Sequence, residues 1–111
     1  MRPFSIQLLA ELEKHLSAAR LSHPAGRTII SGHYTIEYGE LCARANAPEL
    51  THVVGAFLGE IAEWCGQNNL PHINALAVSR ASGQPGDGYH GADGLDIVNW
   101  PAELERVVRH Y

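Results

Sequence analysis

The sequence is short of cysteine, of lysine and of long apolar runs, and each shortage removes a class of protein. Cys42 and Cys65 are the only cysteines in 111 residues, too few for a disulfide framework. Both fall at apolar positions of helical segments and read as buried free thiols. No apolar run is long enough to span a bilayer, and the N-terminus carries no secretory pattern, so no membrane partner is expected and the chain reads as cytoplasmic. Eight Lys and Arg stand against twelve Asp and Glu, a formal charge of −4. Phosphate contacts supply most of the affinity of a dedicated DNA-binding domain, so a chain without basic excess is a poor unspecific nucleic-acid binder, and only a local basic face is left open. Lys14 is the single lysine. The other seven cations are arginines, which suit planar, bidentate recognition.

Catalytic signatures are also missing. There is no Gly-Lys-Ser/Thr for a P-loop, no G-x-S-x-G elbow, and no pair of carboxylates placed for acid–base work. The seven histidines, His15, His23, His33, His52, His72, His90 and His110, are scattered without H-x-x-x-H spacing, and none sits near a cysteine at zinc-finger distance. No metal and no cofactor is therefore expected. Cys65, His72 and Asn74 imitate a thiol–imidazole–amide triad, but Cys65 belongs to an apolar stripe and nothing near it in sequence would lower its pKa. The balance is against an enzyme.

The stretch GQPGDGYHGADG, Gly83 to Gly94, contains GDGYHG, which satisfies G-x-G-x-x-G. A dinucleotide turn must leave a strand directly, open a helix, and meet an acidic residue about 20 positions on. Here Pro85 interrupts the exit, no apolar helix opening follows, and only 20 residues remain beyond Gly91. Asp87, Asp93 and Asp96 would repel a phosphate, and they do not follow calcium-loop spacing. The segment reads as a turn-rich loop; its functional version is an arm that orders on a partner, with Tyr89 and His90 as contacts.

Against these absences, 45% of residues are hydrophobic, enough for one core in one domain spanning 1–111. Ser5 is placed to cap a first helix carrying Leu8, Leu9, Leu12, Leu16 and Ala19, which Pro24 and Gly26 close. RTIIS reads as a short strand. A short helix begins near Thr35 or Ile36 with Leu41, Cys42 and Ala45 inward. Asn46 suits a left-handed C-terminal position, and Pro48 opens the next helix. That helix is the clearest element: Leu50, Val53, Val54, Phe57, Leu58, Ile61, Trp64 and Cys65 recur at helical spacing. Gly55 and Gly59 on it predict a close backbone neighbour, within the chain or in a homodimer. INALAVS and LDIV read as strands. Asn99 and Pro101 begin a last helix with Leu104, Val107 and Val108 as its stripe.

YGELCARANAPELTHVVGAFL resembles the helix-turn-helix of alkylguanine-DNA alkyltransferases and the non-catalytic alkyltransferase-like proteins. Tyr38-Gly39-Glu40-Leu41, Val54-Gly55, Pro71 with INALAV, and GQPGDGY follow that family's order of landmarks, over Tyr38 to Gly91. The resemblance implies a small α+β domain, winged-helix-like, of about four helices with a short sheet. It does not imply alkyl transfer: Pro71 is followed by His72 instead of the reactive cysteine, and His52 stands where the family has its base-replacing arginine. Only Tyr38 carries over, as a phosphate or base-rotating contact. The expected function is a non-catalytic binding module for nucleic acid or a nucleic-acid-handling protein, with Tyr34, Tyr38, Arg44, His52, Arg80, Tyr89 and His90 as contacts. The alternative is a small acidic inhibitor, of the anti-defence or anti-CRISPR type, that occludes a basic surface of a partner complex.

Overall fold

The structure, a computed structural model, describes residues 1–86, 89 and 97–111. Helix α1 runs Pro3–Ser22. Proline in its first turn has no amide to lose, and no breaker follows until Pro24. Leu8, Leu12, Leu16 and Ala19, at spacings that keep one face, are buried, and Leu9 flanks them. Ser5 is not the cap. It lies inside α1, buried, with its hydroxyl donating to the Phe57 carbonyl (3.2 Å) and to Glu60 (2.8 Å). A cap serine would have spent that hydroxyl on its own helix; here a second helix claims it.

That second helix is α3, Val54–Gln67, entered through a 3₁₀ turn at Pro48–Val53. It lies against α1, burying Val54, Leu58, Ile61, Ala62 and Cys65. Before it come strand β1, Ile36–Glu37, and helix α2, Tyr38–Arg44. Asn46 adopts φ 60°, and the Ala47 amide reaches the Cys42 carbonyl at 2.8 Å while the Asn46 amide reaches Ala43 at 3.0 Å. That double bond is a Schellman closure, and it makes the tight corner between α2 and the next turn. The same device closes α3, with Asn69 at φ 54° and Leu70 bonded back to Cys65 at 2.9 Å. Gly55 has nothing within 4 Å of where a Cβ would stand. Among the described residues, the close backbone neighbour expected there is not found.

Strand expectations are the most revised. Residues 27–30 form no strand, and Ile30 is exposed. Ile36, expected to open a helix, pairs instead in parallel register with Ala77, and Glu37 with Val78, so β1 and β2 (Ala77–Val78) make a two-stranded sheet. Of INALAVS only those two residues find an edge to pair with. Ile73–Leu76 becomes a 3₁₀ turn at the centre of the molecule, covered by α1, α3 and the last helix, α4 (Trp100–His110). The Ala75 amide bonds to the His72 carbonyl at 2.9 Å, and the Trp100 indole of α4 donates to the Ala75 carbonyl at 2.8 Å. Ile97–Asn99 is likewise a 3₁₀ turn, with Ile97 and Val98 exposed; Leu95 and Asp96 lie outside the described residues. Asn99 holds the cap position of α4 without a side-chain cap bond, and Trp100, Leu104, Val107 and Val108 are buried with Glu103. Among the described residues the result is α+β, four α-helices and a short sheet around one buried cluster.

A charge-based tie joins the start of α1 to α3. Glu60 accepts the Arg2 amide (2.9 Å), the Ser5 hydroxyl and the Arg2 guanidinium, whose carbon sits 4.1 Å above the Phe57 ring. The Arg2 amide first, then Ser5, then the guanidinium, hold its carboxyl at about 2, below its ordinary 4.5. A carboxyl depressed on folding stabilises the fold above its unfolded pKa, and that contribution disappears as pH falls through the folded value. Glu60→Gln is therefore expected to lower the denaturation midpoint at neutral pH, the gap shrinking as pH falls from about 4.5 and closing only below about 2. Urea melts across pH check it; a gap that persists at the acid end contradicts it.

Candidate interaction face around Tyr38

The parallel pairing of β1 with β2 brings the start of α2 beside the chain that leaves β2. That chain folds into a closed turn: the Ser79 amide donates to the Gln84 carbonyl, and the Gly83 amide to Ser79, both at 2.8 Å. Gly83 takes φ 69°, a region open to glycine. The Ser82 hydroxyl bonds both the amide and the carbonyl of Gln84. The turn then meets Tyr38, whose phenol oxygen accepts the Gly86 amide at 2.8 Å while its ring lies 3.8 Å from the site of a Gly86 Cβ. Burial raises the Tyr38 pKa, and the Gly86 amide opposes that rise. So the described start of the glycine stretch is fastened to α2 by one tyrosine. Tyr38→Phe is expected to cost about 1 kcal/mol and to speed hydrogen exchange at the Gly86 amide, leaving the amides of α1 unchanged.

Arginines flank Tyr38, and each has a carboxylate. Arg80, 89% exposed, is 4.0 Å from Glu37, a contact worth little. Arg44 meets Glu40 one helical turn away at 2.6 Å and reaches His15 Nδ1 at 3.3 Å. The other ring nitrogen of His15, Nε2, lies 3.0 Å from the Thr35 carbonyl, which can only accept. The proton therefore sits on Nε2, and Nδ1 accepts from Arg44. This imidazole ties α1, α2 and the segment before β1 together. His52 is exposed on the Pro48–Val53 turn, which packs on α2.

The structure thus gathers Tyr38 and Arg80, puts Arg44 at the far end of the same short helix, and leaves His52 outward beside it. It does not bring Tyr34 and Tyr89 to the surface. Tyr34 is 2% exposed, its hydroxyl donating to the His23 carbonyl at 2.6 Å, and Tyr89 is 7% exposed; both belong to the core cluster. An apolar ring gains more from burial than from solvent exposure, and for Tyr34 a nearby carbonyl takes up the hydroxyl. As contact residues they are corrected to core residues. His90 lies outside the described residues, as do Asp87, Gly88 and residues 91–96.

Two clefts were not anticipated. One, of about 410 Å³, is lined by Gly66, Leu70, Pro71, His72, Glu103 and Arg106. Glu103, 1% exposed, accepts the His72 amide at 3.2 Å and Arg106 at 3.0 Å. The other, about 470 Å³, lies between the start of α1 and the end of α3. Neither revives a thiol site. Burial raises the Cys65 pKa, against thiolate formation, and its sulfur lies 3.8 Å from the Tyr111 hydroxyl, which donates to the Pro71 carbonyl at 2.8 Å. Among the described residues no three His, Cys, Asp or Glu side chains converge as metal ligands, and no helix is long and apolar enough to cross a membrane. No protein-family model, no curated protein and no solved structure matches the chain.

Proposed function

We propose that this chain is a non-catalytic, acidic interaction protein that covers a basic surface of a nucleic-acid-handling partner, using the face around Tyr38. One observation carries the reading: Arg44, the arginine of α2, is bonded to Glu40 at 2.6 Å, and Arg80, the other arginine near Tyr38, has Glu37 within 4.0 Å. A phosphate-binding face needs cations whose charge is not already offset, because its affinity comes from releasing the counterions of the nucleic acid. A mixed face of paired charges suits a protein surface, where complementarity sets partner choice and register. The formal charge of −4 points the same way.

Direct binding of nucleic acid is the second reading, favoured by the place of Tyr38 at the start of α2, the helix joined to α3 by a tight corner. Fluorescence anisotropy with labelled duplex and single-stranded oligonucleotides separates the two. The expected result is no saturable binding at about 50 mM salt; binding there that is lost by about 200 mM salt transfers the assignment to nucleic acid. Cross-linking from cysteine introduced at His52 or Arg80, in nuclease-treated extract, is expected to recover a nucleic-acid-binding protein.

A further inference from the structure

We infer that the connection between α1 and β1, residues 23–35, is an acid-released strap: protons taken up by the histidines that hold it against α1 set it free as pH falls. Three of the seven histidines meet on this stretch. His23, at the C-terminal end of α1, and His33, in the 3₁₀ turn Ser31–His33, stack face to face, with ring centroids 3.8 Å apart and planes 15° from parallel. His15, earlier on α1, donates from Nε2 to the Thr35 carbonyl and accepts from Arg44 at Nδ1. The Tyr34 hydroxyl, on the His23 carbonyl at 2.6 Å, closes the same loop. Thr35 runs straight into β1, so loosening the strap loosens the edge on which β2 pairs.

Neither histidine contact has a place for added protons. An imidazole changes its charge between about pH 5 and 8. Both nitrogens of His15 are engaged, one by a carbonyl and the other by a guanidinium, which only donates. A proton at Nδ1 removes the lone pair that Arg44 uses and sets two cations against each other. In the stack, the carbonyl end of α1 favours one proton at His23. The second, on His33, meets a like charge across 3.8 Å. Two unit charges about 4 Å apart repel enough, even in bulk water, to move an equilibrium about fivefold. The charges around the strap are Glu11, Lys14 and Arg20 of α1, Glu40 and Arg44 of α2, Glu105 and Arg109 of α4, and Arg27 in the strap itself; Arg109 holds the carbonyls of Gly26 and Arg27. All three carboxylates are already paired, with Lys14, Arg44 and Arg109, so none is left over to balance a new cation. Both stacked rings are exposed and His15 is half-buried, so protons reach all three without unfolding.

Hydrogen exchange of the intact chain at about pH 7.5 and about pH 5, expressed as protection relative to the unstructured rate at each pH, tests this. The amides of Tyr34 and Thr35, both bonded to the Ser31 carbonyl, report on the strap; those of Leu58 and Ile61 report on buried α3. Strap protection is expected to fall about tenfold at the lower pH while that of α3 holds. The window lies above the range in which Glu60 takes up its proton. His15→Gln keeps a donor for Thr35, and His33→Phe keeps a stacked ring, but neither replacement accepts a proton. The double variant is expected to keep its strap protection at both pH values, and His33→Phe alone, at an exposed position, to remove about half of the fall on a logarithmic scale. His52, His72, His90 and His110 remain in these variants, so a loss carried by any of them would persist. Equal protection at both pH values in the unaltered chain, a parallel fall in α3, or an undiminished fall in His33→Phe or in the double variant overturns the inference. No partner enters this measurement, so its outcome is separate from the fate of the Tyr38 face.

Discussion

Glu103→Ala is expected to destabilise the protein by about 3 kcal/mol, a large share of what a domain this size possesses. Glu103 sits in the first turn of α4, facing inward, and only 1% of it meets solvent. One carboxylate oxygen takes the amide of His72 and the other takes Arg106. Removal strands the His72 amide in the interior, at about 1–3 kcal/mol, and adds a cavity. Arg106 is half exposed, so water recovers much of its share. Glu103→Gln, which keeps an acceptor and the volume, is expected to lose about half as much. Urea denaturation with unchanged slope reads both. Equal losses in the two variants would mean that packing, and not the accepted amide, carries the effect.

Leu12→Ala is the second large loss, about 3 kcal/mol. Leu12 is fully buried in α1, the helix that touches α2, α3 and the central turn Ile73–Leu76, so a cavity there has rigid walls on several sides. The size of the loss depends on how far the surroundings collapse into the space. Leu9→Ala, one turn earlier on the half-buried edge of the stripe, is the control and is expected to cost less than half as much. A comparison of denaturation midpoints decides it. Similar values for the two would show that α1 is loosely seated.

Both variants probe the part of the molecule that holds the Tyr38 face in place without belonging to it. Under the proposed function, loss of partner binding in Leu12→Ala should track the unfolded fraction, whereas loss in a variant of Arg80 or His52 should occur at full stability. That contrast separates a contact from a support.

Helices were readable from the chain because their signal is local. The stripe of α1, the run from Val54 to Cys65, the left-handed Asn46 and the proline in the first turn of α4 all rest on residues a few positions apart. Glu103 also left a mark, a charged residue at helical spacing within the stripe Trp100, Leu104, Val107; its meaning needed the His72 amide from far along the chain. Trp64 was visible as an amphipathic position, but the cleft beside it exists only because α1 begins there.

By itself the sequence determined the apolar stripes of the helices, their order, and the corner after α2, because propensity, periodicity and capping act over single turns. Tertiary structure alone decided which residues became strand, which tyrosines stayed at the surface and which charges were cancelled. Ile36 is strand because Ala77 lies alongside it, Tyr34 is core because the His23 carbonyl accepts its hydroxyl, and Arg80 has a carboxylate nearby because β1 sets Glu37 next to the turn that follows β2. Each of those outcomes depends on a partner remote in sequence, and pairing, burial and ion contact are properties of two segments at once.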